Sequence, residues 1–410
     1  MFTIALRGLW RNRRRTLLSL GVIAACALML VLVDAFVGGS VHEFRDTVID
    51  STGHLQIGSL EYWSRSEEDP AVAMLHPGEL SAVESVLAED SEVASWSRSI
   101  DVSGLIGNRD RSTMMIGTTI DIARDGSQIR GVRLAEGDLI TQEDAREILV
   151  GQGLADQLGV SPGDQINIAA FSLDGSLNAM TVRIAGIVRF FESEQDMFGA
   201  VIPLPLAQRL LKTEGVSRIS VHLSEVRDLG GFEDLEVVRN RFHSLLSSTG
   251  TEILALRWDE LVPSYEETKT FFDAIRLLAR VGLAILAFFS ILQIITLSFL
   301  ERTREIGTLR AIGTRRGRIL RMMLLEGSLL GVLGALVGTL GGCGLSSLVN
   351  VLGIAWQFPG ASEPQAISML LTPPAVIVPF ILTFVTSLIS VIYPASRGAN
   401  TQVVDALRHV

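Results

Sequence analysis

Four stretches of this 410-residue chain are nearly unbroken runs of apolar side chains: Leu17 to Val37, Val281 to Leu300, Met322 to Leu352 and Ala375 to Tyr393. Twenty helical residues rising about 1.5 Å each cover the ~30 Å hydrocarbon core of a bilayer, so each run predicts a membrane-spanning helix. Between the first two runs the pattern changes. "MTVRIAGIVRFF" and "ISVHL" alternate as half-buried strands do, and 232–246 repeats at helical spacing. "EILVGQGLADQLGVSPGDQINI" reads as strand, short helix, turn and strand. There Gly159 closes the helix in a left-handed conformation, and Pro162, Gly163 and Asp164 form the turn. "SVHEFRDTVIDSTGHLQIGS" carries the first helix on to about Gly53 and opens a strand at His54. The fold class expected is an α+β membrane protein, with four transmembrane helices and a large extracytoplasmic α+β domain between helices 1 and 2. That domain divides into two lobes, one built from the flanking parts and one inserted near 75–145.

Charge then orients the chain. Arg7, Arg11, Arg13, Arg14 and Arg15 precede the first run, residues 301–321 hold seven arginines against two acids, and Arg397 and Arg408 follow the fourth run. The connection 353–371 has no Lys or Arg. Basic loops stay on the cytoplasmic side. The expected order is a cytoplasmic amphipathic helix (1–16), the first span (17–37), a periplasmic domain with helical stalks (38–270), and a stalk plus second span (271–300). A cytoplasmic segment (301–321), the third span (322–352), an outer loop (353–371), the fourth span (372–394) and a cytoplasmic tail (395–410) complete an inner-membrane protein. In 1–16, Phe2, Ile4, Leu6, Leu9 and Trp10 would face lipid; the alternative is a bare topology signal. The first run exceeds a cleavable signal peptide in length and lacks a small-x-small site after it. Residues 38–270 contain 38 acidic and 19 basic residues, net −19, and the rest 7 and 16, net +9. An acidic outer domain argues against nucleic acid as a partner.

Catalytic chemistry finds no motif. The only lysines, Lys212 and Lys269, are each followed by Thr but lack the glycines of a phosphate-binding loop, so no nucleotide site is expected in this polypeptide. There is no HExxH, no CxxC and no GxSxG elbow with His and Asp partners; His42 and His54 fit no metal spacing, and Cys26 and Cys343 both sit inside predicted spans. No catalytic residue, metal or bound cofactor is expected. In the third span Gly327, Gly331, Gly334, Gly338 and Gly342 include small residues one turn apart, suited to close helix packing either within the subunit or across a dimer. Asp34 either snorkels to water or makes a polar contact across a dimer.

Residues 302–312 can form a helix on which Ile306, Leu309 and Ile312 share a stripe flanked by Arg302, Arg304, Glu305 and Arg310. Gly313 breaks it, and Arg315, Arg316, Arg318 and Arg321 lead into the third span. A plain topology anchor needs neither the acid nor the stripe. This "ERTREIGTLRAIGTRRGRIL" segment, "ILVGQGLADQLGVSPGD" and the ending "YPASRGANTQVVDALRHV" together resemble the FtsX-like permease family of ABC transporters, also called type VII or mechanotransmission systems. The resemblance covers most of the chain and is weak from 60 to 135. "VDAFVGGSVHEFRDTVIDSTGHLQI" looks most like the lipoprotein-releasing LolC/LolE branch; MacB-type exporters usually carry a fused ATPase, which this sequence lacks.

The resemblance implies a non-catalytic permease that pairs with a second permease, identical or diverged, and with two copies of a separate ATPase holding ATP and Mg. The arginine segment would be the coupling helix on that ATPase, acting through Arg302, Arg304, Glu305, Ile306, Leu309, Arg310 and Arg315. A lipoprotein or other lipophilic substrate would enter between the first and second spans of opposing subunits, past Leu32, Phe36, Phe271, Phe272 and Ile275. Alternatives within the family are control of a cell-wall hydrolase, and efflux with a periplasmic adaptor.

Overall fold

The computed structural model describes residues 13–65, 73–125, 129, 131–190, 193–224, 232–247, 253–301, 303, 308, 311–357 and 364–400. Residues 1–12 and 401–410, with most of the expected amphipathic helix and much of the tail, lie outside this set. Two compact units result, one mostly helical and one mixed.

Among the described residues, four helices are long and apolar enough to cross a membrane. They are α1 (Arg13–Thr52), α7 (Pro263–Glu301), α8 (Arg316–Leu352) and α9 (Pro373–Asn400). Each is longer than the apolar run that predicts it. α1 continues fifteen residues beyond Val37 (52 − 37) and ends where Gly53 turns left-handed at φ 84°, its N–H donating to the Ile49 carbonyl at 2.7 Å. No proline interrupts it. α7 opens on Pro263, whose missing N–H costs nothing in a first turn. α8 is closed by Gly353, also left-handed at φ 57°.

The mixed unit contains two sheets. In the first, β1 (Leu55–Ser59), α2 (Pro77–Glu89), β2 (Val93–Ser99), β10 (Arg218–Leu223), α6 (Phe232–Ser247) and β11 (Ile253–Arg257) form an antiparallel sheet of order β11-β1-β10-β2. This βαββαβ arrangement is ferredoxin-like. α2 and α6 touch each other, α2 touches β2 and α6 touches β11; Val83, Leu87, Phe242 and Leu246 on the helices and Leu55, Ile57, Ile219 and Val221 on the strands are all buried.

The second sheet is inserted between β2 and β10. It comprises β3 (Val102–Gly107), β4 (Ser112–Ile120), β5 (Val132–Gly137), β6 (Glu147–Gly151), β7 (Gln165–Phe171), β8 (Leu177–Phe190) and β9 (Gly199–Pro203). Its order runs β5-β8-β6-β9-β4-β3-β7, and β7 pairs back onto β8, which closes six strands into a small barrel with β5 outside. The fourteen-residue β8 makes closure possible: its first half pairs with β7 and its second with β6 and β5. Val102, Ile106, Met115, Ile166, Ile168, Val182 and Ile184 are buried within it. α3 (Gln152–Leu158) follows β6 as the sequence indicates, and Gly159 caps it at φ 65° with its N–H on the Ala155 carbonyl.

The inserted lobe is therefore 102–203, in place of the expected 75–145. Residues 77–99 complete the ferredoxin-like frame, and 147–203 join the barrel. Alternation identifies which face of a strand is buried but not which strand lies beside it, and these pairings join residues as far apart in sequence as Leu55 and Arg257.

Candidate functional site

Asp34 lies in the apolar part of α1 and is 2% exposed. A carboxylate there is stable only if paired and hydrogen-bonded. The partner is on α7: Arg280 Nε donates to Asp34 Oδ1 at 3.1 Å and its Nη2 to Oδ2 at 2.7 Å, a two-pronged pair. One turn away, Arg276 brings its Nε to 4.0 Å from Oδ1 and holds Asp273 through Nη1 at 3.1 Å. Asp34 thus makes its charged contact inside its own chain, neither snorkelling nor awaiting a second subunit. The sequence reading missed it because the second apolar run starts at Val281, one residue after the arginine.

A second attachment between these helices lies deeper, where Ile23 and Cys26 of α1 cluster with Ala287 and Ile291 of α7 and Leu330 of α8. Ile23 and Asp34 are eleven residues apart, as are Arg280 and Ile291, which is about three turns and returns each helix to the same face.

The five residues expected to contact substrate flank this pair without joining it. Leu32 and Phe36 are half-buried and stand two positions either side of Asp34, so helical geometry points them roughly opposite to it. Phe271 and Ile275 are exposed, and Phe272 is half-buried with its ring 6.0 Å from that of Phe271. At nine and five residues before Arg280, Phe271 and Ile275 also turn away from the paired face. The ion pair directs the two apolar groups to opposite outer sides of the α1–α7 pair.

The third-span glycines divide into two groups. A Cβ on Gly327 would strike Val391, and one on Gly331 would lie 2.6 Å from Ser387 Oγ, both on α9. A Cβ on Gly334 would come within 2.6 Å of Ile23, on Gly338 would strike the Ala24 carbonyl, and on Gly342 would lie 2.8 Å from Val31, all on α1. Helices of the same chain fill all five positions.

Of the coupling residues, Arg302, Arg304, Glu305, Ile306, Leu309 and Arg310 lie outside the described residues. Arg315 is exposed and precedes α8 in an extended conformation, φ −65° and ψ 143°. Gly313 is left-handed at φ 95°, and Ile312 is 79% exposed with its N–H on the Thr308 carbonyl at 3.1 Å.

In the mixed unit, the link between frame and barrel is held by Tyr62, whose hydroxyl donates to Asp101 Oδ2 at 2.6 Å and accepts from Arg218 Nη1 at 2.6 Å; Arg218 also pairs with Asp101. Burial pushes the Tyr62 phenol up to about 12; Arg218 opposes the rise, and Asp101 adds to it. No cluster of three metal-ligating side chains occurs among the described residues.

Comparison with known proteins agrees with this architecture. Residues 278–403 match the model described as FtsX-like permease C-terminal, and residues 16–234, more than half the chain, match the MacB-like periplasmic core domain. The macrolide export ATP-binding/permease protein MacB of Chromobacterium violaceum is 21% identical over 99% of this chain and 60% of its own length. The lipoprotein-releasing system transmembrane protein LolC of Xylella fastidiosa is 24% identical over 98% of this chain and 97% of its own. The chain spans about 60% of the MacB relative's length. Among solved structures, the periplasmic region of MacB from Actinobacillus actinomycetemcomitans is 13% identical, with a TM-score of 0.38 over 55% of this chain and 98% of that one.

Proposed function

Because the chain belongs to the FtsX-like permeases of ABC transporters, with a MacB-like periplasmic core between its first two spans, we propose that it converts ATP hydrolysis by a separate ATPase into movement of that core. The work done is extraction of a lipid-anchored protein from the inner membrane. The chain is a multi-pass inner-membrane permease. By its arginine distribution both termini and 301–321 face the cytoplasm.

The observation that carries this reading is the continuity of α1 and α7. α1 runs fifteen residues past the first apolar run, and α7 starts eighteen residues before the second (281 − 263). At 1.5 Å per residue these extensions are about 22 and 27 Å of unbroken helix, stiff enough along the axis to carry a displacement. Two ATPase copies hold ATP and Mg and dock on 301–321. There Ile306, Leu309 and the exposed Ile312 supply packing, and Arg302, Arg304, Glu305, Arg310 and Arg315 fix register. Nucleotide drives the stroke through its different affinity for the two states.

A second permease copy, identical or diverged, completes the substrate path. Leu32, Phe36, Phe271 and Ile275 face outward from the α1–α7 pair and, with Phe272 beside them, receive the acyl chains between copies. The similarity of the α1 segment to the lipoprotein-releasing branch supports this cargo.

Efflux with a periplasmic adaptor is the second reading. The barrel wall favours it, since Leu105, Met114, Ile116, Phe171 and Leu177 are exposed on neighbouring strands where a soluble partner could dock.

The test is purification of the intact assembly from native membranes, with mass spectrometry of its co-purifying chains. A stand-alone ATPase with bound lipoprotein is expected; an adaptor without lipoprotein would move the assignment to efflux. Glu305→Arg should insert normally yet uncouple ATP turnover from lipoprotein release. Unchanged coupling would remove the docking role of 301–321.

A further inference from the structure

Asp34 faces two arginines, not one. Arg280 occupies both carboxylate oxygens, while Arg276, four residues away on the same face of α7, waits at 4.0 Å with its Nε buried and without a hydrogen-bond partner. Below them the contact face of α7 repeats at the same interval: Leu283, Ala287, Ile291 and Ile295 are all apolar, and Ala287, Ile291 and Ile295 belong to the cluster with Ile23 and Cys26. α7 is also the helix least held by its neighbours. Only 11% of its apolar window is buried, against 33% for α1 and 39% for each of α8 and α9.

From these features we propose that α7 has two registers against α1, one helical turn apart, and that Asp34 exchanges Arg280 for Arg276 between them. A shift of four residues, about 6 Å, would set Arg276 where Arg280 now sits, Ala287 at the place of Ile291 and Leu283 at the place of Ala287. Within this cluster every apolar contact is replaced by another apolar contact. Arg280, moved one turn deeper, reaches back to Asp34 with its long side chain as Arg276 does now from the other side. The direction is set, because a shift the opposite way would bring Ala284 opposite the carboxylate and leave only Arg280 facing it, one turn off at the 4.0 Å place that Arg276 holds now. α7 therefore moves toward its own C-terminus, which leads into 301–321. Such one-turn steps between packed helices are an established form of two-state switch.

Native Cys26 provides the reporter. With Cys343→Ser in the full chain in native membranes, oxidative cross-linking of Cys26 to A287C reads the register seen here, and to L283C the shifted one. Arg280→Gln without nucleotide should raise the L283C cross-link on the order of tenfold relative to A287C, and Arg276→Gln should abolish it. An unmoved ratio in Arg280→Gln, or an L283C cross-link that survives Arg276→Gln, would overturn the two registers. Should Arg280→Gln fail to accumulate, the chain with both arginines decides. An L283C cross-link that depends on Arg276 must then appear when a non-hydrolysable ATP analogue is added to inverted membranes, and its absence refutes the proposal. That last arm rests on the ATP coupling proposed above and the Arg280→Gln arm does not, so the two ideas fail separately.

Discussion

α8 and α7 are almost the same length, 37 and 39 residues, and both are apolar enough to span a bilayer, yet they are attached to the rest of the molecule by opposite means. α8 uses the absence of side chains: its glycines let α1 and α9 approach until no Cβ would fit. In lipid, where apolar burial gives helices little reason to associate, such close van der Waals contact is a principal source of adhesion. α7 keeps large side chains pointing away from the bundle, including Phe271, Leu278, Leu286 and Phe289; its apolar stretch meets α1 at one small apolar cluster and one carboxylate, and near its start Tyr265 stacks on Phe44 of α1 at 5.9 Å. A seam made of many contacts has one register. A helix held at a few separate points can change its register if each of them allows it. The contrast separates a fixed framework, α1, α8 and α9, from a helix suited to moving against it.

The comparison can be broken most severely at the carboxylate. Replacing both Arg276 and Arg280 with Gln leaves the Asp34 carboxylate buried and unpaired and is expected to cost about 3–5 kcal/mol, whereas adding Asp34→Asn recovers most of that loss. Thermal unfolding in lipid nanodiscs measures both. Breaking the glycine seam comes next: Gly338→Leu is expected to cost about 1–3 kcal/mol or more through overpacking on Ala24 and Ala27, while Gly344→Leu, which meets open space, should leave the protein intact. Accumulation in the membrane and resistance to protease distinguish the two. The smallest effect sharpens the contrast: Leu286→Ala on the exposed side of α7 should change stability by less than about 0.5 kcal/mol in the same nanodisc assay.

Much of this was legible in the sequence, for physical reasons that differ along the chain. The four spans follow from apolar length alone, which needs no partner to be recognised. Gly159 and Gly53 mark helix ends because only a left-handed residue closes those turns, and both are found there. Sheet membership was not legible. "ISVHL" reads as a strand, but nothing local says that it pairs with Val93–Ser99. The Asp34 partner was hidden for a related reason: an apolar-run criterion discards Arg280 because it is charged, although its charge is what makes it the contact. The signal available was spacing, since two arginines one turn apart at a span's edge answer a lone acid in its neighbour. Of the seven expected coupling residues only Arg315 falls among the described ones.

The barrel's two attachment points have a consequence for how such a molecule can be altered. Its first residue, Val102, pairs with Gly117, and its last, Pro203, pairs with Ile120, so chain entry and exit sit three positions apart on the same strand. Segments with adjacent ends behave as cassettes. The hundred residues between them can be exchanged or excised across a short bridge while the four-stranded frame keeps all its pairings, which lets the barrel's surface diversify independently of the frame.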